Sequence, residues 1–584
     1  MAAIVNALDN FTHKQIGEKG HIEYGWSNST REKICQFNFQ LTRTKSDAEL
    51  DNLKIILTDL LTTLKHNLFS SSISFREEAK GLLAVLYKII GYTRDIQDGK
   101  GECLLTYMMI YTWFDFFPEL ACFAIKCLVE VNLGGDKPEH QYGSWKDIKY
   151  FCDYCYKKSN NKNHDLVKYS IAILNEQLKN DVTFFTSNPS DMSLVAKWTP
   201  REKSKFGWLF EELATNYFYT YMETANTNDK KVKATLKCKT EYRKILSTLN
   251  TKLDTLQIKQ CGKAWDTINF NNVTSISNAK QKKSFLNKNK SNEVRYPDDE
   301  DRVNCAIKYT EHIAKATRGE IEIKGKRVSM ADFTQQARQL NNHPVQEEID
   351  LLNSQWRDNS TQTKSLGKMI AMVDVSGSME GDPMNVAIAL GIRVAEKSIL
   401  GKRVMTFAST PSWVNLESYP DFVSQVGVVM RSDWGTSTNF YKALEMILES
   451  IIVNRMRPED VQDMVLVILS DMQIDEGDKT NKIGPLYETM EAKYAEAGIR
   501  VHGKPYKPPH ILFWNLRSTD GFPCLSNQSN ASMMSGFSPA LLNQFCDLGI
   551  EGLQSATPWS GLEKSLENPR YKIMGDKIDK EFDI

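Results

Sequence analysis

Met369-Ile370-Ala371-Met372-Val373-Asp374-Val375-Ser376-Gly377-Ser378 decides how the C-terminal half of this 584-residue chain is read. Five apolar residues deliver one carboxylate and two hydroxyls into a glycine-containing turn. Those are donors for a hard divalent cation: Mg²⁺ takes about six oxygens in near-octahedral geometry and usually keeps some as water. Outward from this stretch, Asp382-Pro383 reads as a helix cap with Pro in the first turn, leading into the apolar-periodic run Met384 to Ile399. Val404-Met405-Thr406-Phe407-Ala408 is strand-like, and Phe440 to Ile452 is amphipathic. Met464-Val465-Leu466-Val467-Ile468-Leu469 is a continuous apolar run, as in a buried parallel strand, and it ends in Ser470-Asp471. His510 to Leu516 reads as another buried strand, and Ser538-Pro539-Ala540-Leu541-Leu542 as a helix start. Strand, ligand loop and helix in this order predict a doubly wound α/β sheet with its site at the carboxyl ends of the strands.

The Asp-x-Ser-x-Ser pattern of Asp374, Ser376 and Ser378 resembles the metal-ion-dependent adhesion site of von Willebrand factor A domains. The resemblance implies two further ligands. One is a loop threonine in Gly435-Thr436-Ser437-Thr438-Asn439, where Thr438 fits best and Thr436 competes; the other is Asp471. The expected metal is Mg²⁺ or Mn²⁺, since both accept this oxygen set. Two carboxylates and three hydroxyls leave room for an acidic group of a partner, such as Asp, Glu or phosphate. The alternative is a set of ordinary turns, because Asp, Ser, Gly and Thr are common loop residues. Five ligand-type residues at three strand ends in the right order weigh against that. No nucleophile is paired with a base here, and the nine histidines show no triad or metal-ligand spacing, so a non-enzymatic binding role is expected.

The first half has a different rhythm. Leu53–Leu64, Phe75–Ile90, Glu102–Phe114, Glu119–Val131, Trp145–Tyr156 and Asp165–Leu178 carry apolar residues at helical spacing. Helix pairs stacked into an irregular array fit this pattern. Within it stand Thr93-Arg94-Asp95-Ile96-Gln97-Asp98-Gly99-Lys100-Gly101-Glu102, Tyr142-Gly143-Ser144-Trp145-Lys146-Asp147 and Ala196-Lys197-Trp198-Thr199-Pro200-Arg201-Glu202. Trp265-Asp266-Thr267-Ile268-Asn269-Phe270 and Arg295-Tyr296 continue the series. Together these segments resemble an uncharacterised cytosolic family similar to the TROVE module of Ro autoantigens, telomerase-associated and vault-associated proteins. Ro proteins also join a helical-repeat ring to a von Willebrand A domain. The expected fold class is therefore α plus α/β: a HEAT-like or TROVE-like helical domain followed by a doubly wound von Willebrand A-like domain. The expected division is an N-terminal extension (1–49), the helical domain (50–296), a connecting segment (297–365), the A-like domain (366–560) and a charged tail (561–584).

The Ro resemblance implies binding of small or single-stranded RNA. Residues 229–290 hold 15 Lys/Arg against 4 Asp/Glu, although the whole chain has a formal net charge of zero. Such local asymmetry suits phosphate binding. Lys280, Lys282, Lys283, Lys288 and Lys290 read as a lysine-rich loop, with Phe285 available to stack on bases and Lys197 and Arg201 on an inner surface. A solvated helix face and a lysine-rich loop are the plainer alternative. The three motifs also have a structural reading, in which Arg94 and Asp95 form buried pairs, Asp98 to Glu102 is a flexible turn, and Arg201 and Glu202 join ion pairs. Ile321 to Val328 reads as a short hairpin. The runner-up function is assembly through an acidic protein docked on the metal, without RNA. Cys152 and Cys155 read as helix packing, since the eleven cysteines show no second pair at zinc spacing. With no export signal and no run of about 18 apolar residues, a cytoplasmic protein without membrane spans or a small-molecule substrate is expected.

Overall fold

The computed structural model describes residues 13–130, 140–187, 189–432, 439–462, 464–473, 485–546 and 550–582. A hairpin of β1 (Lys14–Ile16) and β2 (Ile22–Tyr24) precedes α1 (Thr30–Gln40). The helical array follows as α2 (Asp47–Leu68), α3 (Ile73–Arg94), α4 (Cys103–Phe114), α5 (Pro118–Val129), α6 (Trp145–Ser159) and α7 (Asp165–Ser187). It continues through α8 (Val195–Trp198), α9 (Gly207–Tyr217), α10 (Tyr219–Glu223) and α11 (Asn228–Lys252).

Local chemistry starts these helices. The Ser46 side chain accepts from the Glu49 amide at the head of α2, and Ser144 and Asp147 form a capping box on α6. In α2 the buried residues Leu50, Leu53, Leu57, Leu60, Leu61, Leu64 and Leu68 keep helical spacing, which turns one stripe inward. From α2 to α7 each helix packs on the next, then α7 on α9 and α9 on α11.

Two of the singled-out motifs meet in this array. Arg94 donates from Nε and Nη2 to the two carboxylate oxygens of Asp147, both at 2.8 Å, and the Tyr107 hydroxyl donates to Asp147 at 2.6 Å. The turn between α3 and α4 is a fixed joint, contrary to the flexible turn expected from its glycines. Lys100 is 1% exposed and donates to the Asn38 and Leu41 carbonyls and to Ser535 Oγ, while Glu102 pairs with Arg43. Cys152 and Cys155 are buried without a disulfide, in keeping with helix packing.

Beyond α12 (Leu256–Cys261), a smaller core gathers Phe270, Phe285, Tyr309 and Ile313 around α13 (Ser275–Phe285) and α14 (Glu300–Thr317). Phe285 is fully buried there, which removes it as a base-stacking platform. The expected lysine-rich loop is largely helical: Lys280, Lys282 and Lys283 lie on α13, whose Thr274 side chain caps it. Residues 321–328 form turns in place of the expected hairpin. Their backbone is held by α16 instead, as Asp358 accepts from the Gly325 and Lys326 amides and Gln355 donates to the Lys324 carbonyl. Helices α15 (Met330–Asn342) and α16 (Gln346–Ser360) lead into the sheet region.

That region comprises β3 (Met369–Asp374), α17 (Asp382–Lys397), β4 (Arg403–Phe407), β5 (Ser412–Asn415), α18 (Phe422–Val429), α19 (Phe440–Val453) and α20 (Pro458–Gln462). It continues with β6 (Val465–Ser470), α21 (Leu486–His502), β7 (His510–Asn515) and β8 (Ala531–Ser535). Among the described residues the strand order is β5-β4-β3-β6-β7-β8, parallel except for β5, which pairs antiparallel with β4. Every residue of β6 and β7 is buried, as apolar runs covered on both faces require. The chain leaves β3 toward β4 on one side and β6 toward β7 on the other. The β3/β6 junction is therefore the topological switch point, where open α/β sheets place ligands.

Helix α17 is capped by Gly381, at φ 99°, so Asp382 is its first residue and the cap stands one position before the expected one. The helix lies close on the sheet: a Cβ at Gly391 would stand 2.5 Å from Val373 Cγ2. Gly391→Ala is expected to destabilise the chain by about 1–3 kcal/mol through overpacking, read as a lower urea midpoint.

Both chain ends depart from the expected division. In place of an extension, Tyr24 pairs backbone to backbone with Phe522, α1 packs on β8, and Asn515 Nδ2 donates to the Phe39 carbonyl. The expected tail forms α23 (Pro558–Leu566) and α24 (Lys572–Glu581), following α22 (Ile550–Ser555). Helix α24 packs on α3, and Arg570 makes a two-pronged pair with Asp95 at 2.7 Å. The tail's apolar residues Tyr571, Met574 and Ile578 are fully buried, which its charge-rich sequence conceals.

Candidate metal centre and basic groove

Asp374 ends β3 and is completely buried. Its Oδ1 accepts from the Ser376 amide at 2.9 Å and its Oδ2 from Ser470 Oγ at 2.6 Å, so the two central strands fix its orientation jointly. A short 3-10 turn, Gly377–Met379, brings Ser378 Oγ within 3.2 Å of Ser376 Oγ. Across the junction, Asp471 Oδ1 accepts from the Gln473 amide at 3.1 Å. Its Oδ2 is buried and has no hydrogen-bond partner among the described residues. Met472 follows at φ 62°, a left-handed conformation uncommon for a residue of this kind, and it forms the bend that follows β6.

Burial and the neighbouring Asp471 push Asp374 up to about 7, and burial also raises Asp471. A divalent cation would relieve both, as it favours ionised carboxylates. Among the described residues no group of three His, Cys, Asp or Glu could hold a metal. A cation here would depend on hydroxyl oxygens beside two carboxylates, a donor set that suits Mg²⁺ or Mn²⁺. Asp374, Ser376, Ser378 and Asp471 are brought to this junction; Thr438 and Thr436 lie outside the described residues.

Three neighbours carried no signal in the sequence. Lys19 Nζ stands 3.4 Å from Ser378 Oγ, Gln473 Nε2 donates to Glu18 Oε2 at 2.6 Å, and Arg517 Nη1 donates to the Ser378 carbonyl at 3.0 Å. Lys19 and Ser378 are 359 residues apart in the chain, beyond the reach of any spacing argument. A cavity of about 590 Å³ adjoins the turn, lined by Val375, Ser376, Gly377 and Glu380 on one side and by Gln335, Arg338, Gln339 and Asn342 of α15 on the other.

Lys280, Lys282, Lys283 and Lys290 share a second cavity of about 730 Å³, which Gln336, Gln339 and His343 also line. Gln339 thus borders both cavities. Lys282 is committed to Glu348 at 2.6 Å, and Lys283 donates to the Lys290 carbonyl, whereas Lys280 and Lys290 are exposed. Lys288 turns to Glu347 at 3.5 Å. Lys197 and Arg201 are not in the groove. Burial lowers the Lys197 ammonium, which sits 5.7 Å from the Trp198 ring. Arg201 is exposed, and its neighbour Glu202 takes the expected ion pairs, with Lys239 and Arg243.

Residues 152–369 match a domain of unknown function, DUF2828, and residues 368–573 match another, DUF7788. The chain is also similar to "Uncharacterized protein L728" of Acanthamoeba polyphaga mimivirus, 26% identical over 565 residues that cover 92% of this chain and 84% of the viral one. No helix among the described residues is long and apolar enough to cross a membrane.

Proposed function

We propose that this chain is a non-enzymatic, RNA-associated scaffold in which a HEAT-like or TROVE-like array meets a von Willebrand A-like, metal-binding domain. The observation that carries the RNA reading is the convergence of Lys280, Lys282, Lys283 and Lys290 on one groove. Lysines of α11 do not join it: Lys239 pairs with Glu202 and Glu211, and Lys244 with Glu241. The metal half rests on the unpartnered Asp471 oxygen beside Asp374. There Asp374, Ser376, Ser378 and Asp471, with Thr438 from the sequence resemblance, would hold Mg²⁺ or Mn²⁺ and present it to an acidic oxygen. A cytoplasmic setting fits cysteines that form no disulfide among the described residues.

The test is to purify the protein from its native cell, crosslink it and sequence any bound RNA. Lys280→Glu, Lys283→Glu and Lys290→Glu are combined, while Lys282 keeps its pair with Glu348. The triple variant is expected to weaken binding and reduce the slope of log K against log salt by about 2, at ~0.7 per phosphate contact for single strands. An unchanged slope removes the groove from the account. That same buried oxygen favours a second reading, docking of an acidic protein without RNA. In that case Asp374→Ala abolishes partner capture and no discrete RNA is recovered.

A further inference from the structure

We propose that the β1–β2 turn is a displaceable cap on the metal centre, with the Lys19 ammonium occupying the place of positive charge that a divalent cation takes over. This rests on the metal-binding reading above and adds its regulation.

The turn Gly17-Glu18-Lys19-Gly20 touches both ligand loops at once. Lys19 Nζ meets Ser378 Oγ at 3.4 Å, and Glu18 Oε2 is held by Gln473, two residues past Asp471. The turn is shaped by its own hydrogen bonds: the Gly17 amide donates to the His21 carbonyl, the Gly20 amide donates to the Gly17 carbonyl, and Gly20 has φ 92°. Its base is anchored on the carboxyl edge of the sheet. Lys14 pairs with Glu488 at 3.1 Å, Gln15 reaches the Asp520 carbonyl, and Tyr24 pairs with Phe522. Between these anchors and the tip the arm is short, with His21 and Glu23 buried on one side only. Its strands have three residues each, and Ile16 is 77% exposed. Two-stranded hairpins of this kind are marginal on their own, and such elements open at low cost.

Charge explains why the cap and the metal exclude each other. Two buried carboxylates attract a cation, and the chain brings two of its own to the Ser378 turn: Arg517, bound to the Ser378 carbonyl, and Lys19, the one carried on the hairpin. A divalent ion beside Ser378 would repel that ammonium at close range, so metal binding must swing Lys19 out. Once the turn has moved, the open side of the ion faces an incoming acidic oxygen. The cap therefore sets a threshold: the site fills only where metal and an acidic partner together outweigh Lys19.

Mn²⁺ titration followed by electron paramagnetic resonance tests this on the full chain, with wild type, Lys19→Met, Lys19→Arg and Asp471→Asn compared. Lys19→Met is expected to bind Mn²⁺ about tenfold tighter, the scale of losing one partly screened like charge. Lys19→Arg should stay near wild type, and Asp471→Asn should not bind. Equal affinity of wild type and Lys19→Met, with binding still lost in Asp471→Asn, overturns the cap and leaves the metal site standing. No binding in either wild type or Lys19→Met overturns the metal reading, and the cap with it. Circular dichroism melts identify a misfolded variant, for which Lys19→Gln takes the place of Lys19→Met.

Discussion

Arg94→Ala is expected to destabilise the protein by about 3–5 kcal/mol, the range for stripping one partner from a buried ion pair. Arg94 and Asp147 are both nearly inaccessible, and Asp147 also accepts from the Tyr107 hydroxyl and the Ser144 amide. Truncating the arginine leaves a carboxylate in the core with hydrogen bonds but no counter-charge. Although burial opposes ionisation, the Arg94 guanidinium and these donors hold Asp147 below the usual carboxylate range. Its contribution is therefore complete above the unfolded pKa, near 3.9, and is lost as pH falls further, through the folded value. The variant's deficit, read as a shift in urea midpoint, should shrink below about pH 4 for that reason. Combining Arg94→Met with Asp147→Leu should recover only part of the loss, since removing the charge pair also orphans the Tyr107 hydroxyl and the Ser144 amide. A deficit that does not change with pH would mean that lost packing, and not charge, causes it.

Mg²⁺ at 100 times its dissociation constant is expected to stabilise the wild-type chain by about 2.7 kcal/mol and to leave Asp471→Asn unmoved. The same substitution should raise the melting temperature in chelator, because it takes one carboxylate from a buried like-charged pair. The opposite signs make the experiment decisive. A ligand that binds elsewhere would stabilise both proteins alike. A purely structural aspartate would lower stability under both conditions. Differential scanning fluorimetry with Mg²⁺, Mn²⁺ and chelator arms reads all of these.

The elements and the carboxylate pair were legible in the sequence because each depends on local rules. An apolar run ending in Asp-x-Ser-x-Ser needs no distant information to be read as a strand feeding an oxygen-rich turn. Likewise the stripe of leucines in α2 carries its own period. What escaped was long-range or concealed by composition. Lysines in an Asn- and Ser-rich stretch read as a loop, yet Thr274 caps a helix there and Phe285 anchors it. The tail read as charged and unpatterned because its buried Tyr571, Met574 and Ile578 are scattered among charges. Glu18 and Lys19 sit in a segment without distinguishing pattern, and contacts across the whole chain, such as Tyr24–Phe522 and Lys14–Glu488, carry them to the site. The domain boundary near Leu366 follows the change of periodicity along the chain but says nothing of which strands and helices meet in space.

The crossing of the two ends has a consequence for inheritance. Residues 13–40 complete the surface of the sheet, and the last helix completes the array, so each half lends the other a part. A gene fragment ending near residue 366 would encode an array without its closing helix, and the complementary fragment would encode a sheet without its hairpin and α1. Recombination at that point would yield two defective products instead of two portable cassettes. The two halves are thus expected to be inherited as one unit, and the match to the viral relative runs across both of them.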